Sequence, residues 1–218
     1  MPLKNDREYR SFDLMRRAKE EGSEESSFIV EGYASTFEEY ELYNNGKEVL
    51  RERIEPTAFD DADMTDVVFL LDHTGRVYAR TKNDTVQLSV DDKGLFTRTD
   101  LSKTAASRGV YEDIEAGNYS QMSFAFTIAE DEFIESNDRE NDITIYTRII
   151  KRIKKLYDIS AVGFPANPTT DIGVATREAF DGAIERFQAE RLEREHAKQE
   201  EARQRAIAKM KFMEVSND

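Results

Sequence analysis

Two side chains in this sequence have the chemistry of nucleophilic catalysis, His73 and Ser123. A histidine titrates close to neutral pH, so it is suited to take a proton from a hydroxyl group. A serine becomes nucleophilic only beside such a base, and a third group must orient the imidazole. The residue types and their spacing alone do not show that His73 and Ser123 act together. His73 also fits a structural histidine at the end of a strand, and Ser123 fits a small strand residue.

The other candidate groups are few. The only other histidine, His196, lies in the charged run 193–198, where we expect it to be solvated. Cysteine is absent, which excludes disulfides, thiol nucleophiles and Cys-ligated zinc. A metal hydrolase would have to combine His73 with acids of 60–66 (Asp60, Asp61, Asp63 or Asp66), and a single histidine falls short of a usual zinc site.

Two strands must position the candidate pair. Val67–Leu71 is a continuous apolar run of strand length, so we predict a buried strand that delivers His73 at its end. Residues 122–128 alternate, which predicts a strand with Met122 and Phe124 on its core face and Ser123 on the opposite face.

The remaining patterns predict a β-rich body. We expect a helix over 103–116, capped by Ser102 and ended by Gly117. Another short helix is predicted to begin at Pro56. The predicted strands are 28–37, 49–54, a hairpin over 86–99, and the separate strands 143–150 and 154–162, with polar loops at 38–46 and 130–142.

Composition separates a body, 1–176, from a tail, 177–218. The tail is rich in Ala, Glu, Arg, Lys and Gln, which predicts one long charged helix. The formal net charge is −14, yet residues 177–213 hold nine Lys/Arg against eight Asp/Glu, so the acidity belongs to the body. An acidic body repels a phosphate backbone, so we expect no nucleic-acid ligand.

No apolar run has the length of a membrane span or resembles a signal peptide, and we expect a soluble intracellular protein.

An ordered set of short motifs resembles the prohead maturation proteases of tailed bacteriophages, which are related in fold to herpesvirus assemblins. The resemblance covers about residues 7–176. Its motifs are GYAS-x-F (32–37), P-x-A-F (56–59), a hydrophobic strand into Asp72-His73, D-x-G-L (92–95), G-x-x-x-x-M-S-F-x-F (117–126), Y-D-I-S-A-V (157–162) and P-A-N-P (165–168).

The resemblance implies catalytic roles residue by residue. His73 matches the family's catalytic histidine, and Ser123 matches its nucleophile. Asp158 falls where the family more often has Glu, so it is implied as the third member with a shorter side chain. Asp158 also fits an exposed strand acid beside Lys154 and Lys155. Thr57 departs from the glycine that the family often has in that turn.

The implied fold is α+β and β-rich, an assemblin-like β-barrel body with a few surface helices and the long charged C-terminal helix. The implied activity is that of a serine endopeptidase that uses no cofactor or metal. Its substrates would be the scaffolding segment of the major capsid protein or a separate scaffold, and the protease itself. It would work inside the procapsid, in the host bacterial cytoplasm. The resemblance also allows two further partners, the portal and a second copy of the chain.

A competing hypothesis is a catalytically inactive internal scaffold on the same fold. Such a protein has no need of Ser123 and His73 together, so their joint presence in matching motifs favours the enzyme.

Overall fold

The structure, a computed structural model, describes residues 7–13 and 28–163 and isolated helical positions between 182 and 205. The strands are β1 (Glu8–Asp13), β2 (Ile29–Thr36), β3 (Tyr40–Asn44), β4 (Glu48–Ile54), β5 (Val68–Leu71), β6 (Thr74–Arg80), β7 (Val86–Val90), β8 (Gly94–Asp100), β9 (Gln121–Asp138) and β10 (Ile143–Val162). One α-helix, α1 (Ala105–Ala116), and short 3₁₀ turns at Pro56–Phe59 and Thr81–Asn83 complete the described body. A β-rich body with few helices is therefore confirmed.

The strands form two sheets. The larger has the order β1-β9-β10-β4-β3, with β5 paired to β10 and β6 paired to β5. The smaller has the order β2-β8-β7. Apolar side chains of both sheets share one core, which includes Val30 and Leu95 from the smaller sheet and Phe69, Phe124 and Ile159 from the larger.

The predicted barrel does not close. Within residues 7–13 and 28–163 no hydrogen-bonded ladder joins the two sheets, because the outer strands of the smaller sheet, β2 and β7, pair only with β8. Closure of a barrel needs a continuous ladder around the circumference. The two sheets instead share their core through apolar side chains alone.

The chain divides into two compact units, Met1–Asp171 and Ile172–Asp218. Most of the predicted C-terminal helix (177–218) lies outside the described residues, so that helix and the domain boundary at residue 176 remain predictions.

The acidic segment 130–142, predicted as a loop, is mostly strand. β9 runs on to Asp138 and pairs with β10, which is one strand from Ile143 to Val162 rather than two. The acids of β9 face basic residues of β10: Arg148 Nη2 lies 2.7 Å from Asp131 Oδ2, and Lys151 pairs with Glu132. Opposite charges on neighbouring strands favour the pairing, so the polar composition does not end the strand.

Strand β3 falls in the segment 38–46, so the prediction of a polar loop there was wrong, and strand β1 falls in a segment for which no element was predicted. A buried ion network holds β1 in the larger sheet. Arg10 of β1 donates from Nη2 to Glu52 Oε2 of β4 (2.7 Å), and Arg148 of β10 donates to Glu8 of β1 (2.7 Å). Burial works to raise the pKa of Glu8, but attraction to Arg10 and Arg148 outweighs it and lowers the pKa. The paired charges compensate one another inside the fold.

Helix α1 begins two residues later than predicted, because Thr104 and not Ser102 is the cap. The Thr104 hydroxyl accepts a hydrogen bond from the Ser107 amide (3.0 Å). Gly117 ends the helix with a φ of 85°, a left-handed conformation that favours glycine. The helix therefore stops just before β9 begins.

Gly94 permits a close backbone approach between β8 and β2. A Cβ atom at this position would overlap the Ser35 carbonyl oxygen and lie 2.8 Å from Thr36 Cα. Backbone atoms on a paired strand cannot move aside without loss of the ladder. Gly109 on α1 has open space around its Cβ position.

These two glycines make a matched test of the smaller sheet. We predict that Gly94→Ala destabilises the protein by about 2 kcal/mol or more through steric overlap. Gly109→Ala should stabilise it by roughly 0.5 to 1 kcal/mol, because alanine favours a helix interior. Urea unfolding curves measure both. An unchanged midpoint for Gly94→Ala would contradict the pairing of β8 with β2 described here.

Candidate functional site

His73 lies in a tight turn between β5 and β6. Both central residues of the turn have positive φ, 46° for Asp72 and 56° for His73, as two-residue hairpin turns of type I′ require. Asp and His tolerate this conformation better than most other non-glycine residues. The turn is tied to the end of β10, since the Asp72 amide donates to the Ala161 carbonyl (3.1 Å) and Gly163 N donates to Asp72 Oδ1 (3.2 Å).

Three neighbouring strands bring the candidate side chains together. β10 lies between β9 and β5, so Ser160 of β10 pairs with Ser123 on one side and with Leu70 on the other. Asp158 lies two residues earlier on β10. β5 runs parallel to β10, so the last residues of β5 lie beside Ser160 of β10, which is itself paired with Ser123. The turn that follows β5 then places His73 next to Ser123 of β9 and Asp158 of β10.

The predicted site residues form one hydrogen-bonded chain. His73 Nε2 lies 2.6 Å from Ser123 Oγ, and His73 Nδ1 lies 2.6 Å from Asp158 Oδ1. An ionised carboxylate only accepts hydrogen bonds, so Nδ1 carries the proton and Nε2 accepts from the Ser123 hydroxyl. The structure thus joins the three residues named from the sequence in the order Ser–His–Asp.

The site is buried except at its histidine. Ser123 is 1% exposed and Asp158 is 3% exposed, whereas the His73 side chain is 16% exposed. The interpretation of Asp158 as an exposed strand acid is therefore wrong. Ser123 does lie opposite the side of Met122 and Phe124 on an alternating strand, but both faces of β9 are covered at this point.

Two further side chains contact the site. Ser160 Oγ lies 2.9 Å from Asp158 Oδ1, and the Tyr9 ring packs edge-on against the His73 imidazole at a centroid distance of 4.5 Å. Sequence reasoning missed both. Alternation along β10 places Ser160 on the face of Asp158 and was a usable signal. No sequence signal pointed to Tyr9, because strand β1, on which it lies, was not predicted.

Two of the four acids that a metal hydrolase would need, Asp63 and Asp66, are engaged by basic side chains. Asp63 accepts from Lys155 Nζ (2.6 Å), and Asp66 accepts from Arg80 (2.6 Å). The hydrogen bond from Lys155 is the main cause that lowers the pKa of Asp63 to about 2. Within the described part of the chain no three His, Asp or Glu side chains cluster as a metal site would require.

A Ser–His–Asp chain of this geometry is the constellation of serine hydrolases. The imidazole can take the serine proton as the hydroxyl attacks a carbonyl carbon, and the buried carboxylate can stabilise the imidazolium that forms. The fold and the site together define a β-rich protein with a serine hydrolase constellation.

The family follows from comparison with known proteins. Residues 12–183 match the caudovirus prohead serine proteases, and the chain belongs to this family.

A relative supports the family. The chain is similar to the prohead protease of Enterobacteria phage HK97, with 29% identity over 163 residues, which cover 71% of this chain and 62% of the relative. The match thus spans less than two thirds of that protein. No solved structure matches the chain. Among the described helical residues, no helix has the length and apolar character that crossing a membrane requires.

The protonation pattern of His73 is a direct test of the site geometry. We predict that neutral His73 carries its proton on Nδ1 and that this N–H gives a low-field proton resonance, because it donates to a buried carboxylate at short distance. Asp158→Ala should remove that resonance and the Nδ1 preference. Nitrogen-15 NMR measures both.

The chain supplies an internal control for this measurement. It has only two histidines, and His196 is exposed, so the His196 signals should not change in Asp158→Ala. A wild-type His73 protonated on Nε2 would contradict the hydrogen-bonded order Ser–His–Asp.

Proposed function

We propose that this protein is a serine endopeptidase in which Ser123 is the nucleophile, His73 the general base and Asp158 the orienting carboxylate. One observation carries the proposal. Both ring nitrogens of His73 are engaged at 2.6 Å, one by Ser123 and the other by Asp158. Membership in the prohead protease family agrees with this chemistry.

The proposed mechanism is acyl transfer. His73 Nε2 takes the hydroxyl proton as Ser123 Oγ attacks the peptide carbonyl carbon, and the carbonyl oxygen becomes an oxyanion. The imidazolium then gives its proton to the leaving amine, the C–N bond breaks and an acyl-enzyme remains. His73 next takes a proton from water, whose oxygen attacks the ester carbonyl. The imidazolium returns this proton to Ser123 as the acid product leaves.

The proposed substrates are proteins of the assembling phage shell. From the family, we propose that the enzyme cleaves the scaffolding segment of the major capsid protein, or a separate scaffold, and also itself. This work would take place inside the procapsid in the host cytoplasm. In this scheme the portal and a second copy of the chain are further partners, nucleic acid and membrane are not ligands, and neither a cofactor nor a metal takes part.

We also propose a division of labour along the chain. The catalytic domain is residues 1–176, and the charged tail 177–218 delivers the enzyme into the assembling shell. The near balance of charge over 177–213 and its few apolar residues support this assignment, because such a segment has little with which to pack onto an acidic body.

The inactive scaffold is the competing hypothesis, and the burial of Asp158 argues against it. A buried carboxylate is unfavourable unless it is paired, and Asp158 is 3% exposed and held by His73. A scaffold without catalysis gains nothing from a buried carboxylate joined through a histidine to Ser123.

The central test of the proposal replaces the nucleophile. We predict that Ser123→Ala, co-expressed with the capsid protein of the same phage, lowers cleavage of that protein and of itself by about 10⁴-fold or more, because no covalent step remains. The fold should be retained, since only one buried oxygen is removed. Gel electrophoresis of the capsid protein and thermal unfolding measure the two properties.

Ser120→Ala is the matched control, because Ser120 is exposed and lies three residues before Ser123 in the same motif. This variant should cleave like the wild type. Cleavage by Ser123→Ala together with inactivity of Ser120→Ala would show that another serine is the nucleophile. A wild-type chain that folds, meets its capsid protein and never cleaves it would favour the inactive scaffold.

A further inference from the structure

Ser160 is a fully buried serine that the acyl-transfer mechanism does not use. It is 0% exposed on β10, two residues after Asp158 and on the same side of the strand. Its Oγ lies 2.9 Å from Asp158 Oδ1 and 3.3 Å from His73 Nδ1. The hydroxyl therefore lies at the junction of the base and its carboxylate.

The direction of these hydrogen bonds follows from the protons available. His73 Nδ1 already donates its proton to Asp158, so it cannot accept one from Ser160. Ser160 has one hydroxyl proton, and the acceptor within good distance is Asp158 Oδ1. This carboxylate oxygen then accepts two hydrogen bonds, one from the imidazole and one from Ser160.

Ser160 does not compete with Ser123 for the base. Nε2, the nitrogen that accepts a proton in the mechanism, is 2.6 Å from Ser123 Oγ, whereas Ser160 lies on the Nδ1 side of the ring. A hydroxyl on that side cannot give its proton to the imidazole, because Nδ1 already carries one. Its chemistry is restricted to the carboxylate.

A second hydrogen bond to Asp158 has two physical effects. The χ2 torsion of an aspartate has a broad distribution, so a carboxylate held by one partner can still rotate. A second hydrogen-bond donor restricts this rotation. A donor to the charged form also favours the ionised carboxylate, which keeps the shared proton on the imidazole. Both effects hold His73 in the orientation and tautomer that proton transfer from Ser123 requires.

We propose that Ser160 is a positioning residue of this site, which acts on His73 through Asp158. The inference rests on the proposed function of Ser123, His73 and Asp158 and adds a fourth member to that set. Ser160 itself touches no reacting atom.

A double-mutant cycle tests this route of action. With a peptide that spans a cleavage site of the capsid protein, Ser160→Ala should lower kcat roughly tenfold, as loss of a hydrogen bond to a charged group predicts, and leave KM unchanged. In an Asp158→Ala background, the same Ser160→Ala substitution should cause little further loss. An equal loss in both backgrounds, or full kcat in Ser160→Ala, would overturn the proposal.

Ser35→Ala is a matched control for the loss of a buried hydroxyl. Ser35 is also 0% exposed, lies on β2 in the smaller sheet, and its Oγ has no hydrogen-bond partner among the described residues. It should retain wild-type kcat. If Ser160→Ala loses cooperative unfolding, Ser160→Cys replaces it, because the thiol fills similar space but is only a weak donor.

A spectroscopic arm separates this proposal from the proposed function. In catalytically disabled Ser123→Ala, the His73 Nδ1–H resonance should shift when Ser160→Ala is added, because Asp158 Oδ1 then accepts from His73 alone. Adding Ser35→Ala instead should leave the resonance unchanged. This readout needs no peptidase activity. A resonance that does not move would contradict the role of Ser160, whereas absent peptidase activity in the wild type would contradict the proposed function.

Discussion

The pairing of β10 with two different strands is the constraint on which the candidate site depends. Along its last residues β10 is hydrogen-bonded to β9 on one side and, in parallel, to β5 on the other. Ser123 lies on the first neighbour and Asp158 on β10, and the second neighbour ends at the turn that holds His73. A shift of one residue in either register would turn a side chain to the opposite face and separate the three groups.

The geometry of the candidate site lowers the stability of the fold around it, and contacts of the surrounding structure offset this loss. The left-handed turn and the buried carboxylate are both unfavourable in isolation. Asp72 ties the turn to β10, and His73 and Ser160 together solvate Asp158 with two hydrogen bonds. The wider sheet supplies the rigidity, with an apolar core on one side and the buried ion network of Arg10, Glu52 and Arg148 holding β1 in place.

Elements that depend on a local pattern of residues could be predicted from the sequence. The apolar run before His73, the alternation around Ser123 and the glycine after α1 all correspond to observed elements. Charged segments were the main failure: β1 was not predicted, and β3 and the acidic half of β9 were predicted as loops. β1 depends on pairing with β9, which is far away in sequence, as Glu8 is from Phe126, whereas β3 and the acidic half of β9 pair with the next strand along the chain, with contacts such as that of Asp131 with Arg148. The expected barrel came from the resemblance, and its closure depends on pairing between strands that no local pattern encodes. The three site residues were named through motif order, whereas Ser160 required the register of β10.

Covalent labelling with a fluorophosphonate probe, followed by peptide mapping, tests most directly whether Ser123 is the nucleophile. Trypsin should release residues 109–139 as one fragment containing Ser120, Ser123 and Ser136, and residues 156–177 as another containing Ser160. We expect the probe on Ser123, located by fragmentation of the first peptide, and we expect His73→Gln to abolish the labelling because the hydroxyl then lacks its base. Label on Ser160 or Ser120, or labelling that persists undiminished without His73, would contradict the assignment of Ser123 as nucleophile and His73 as its base.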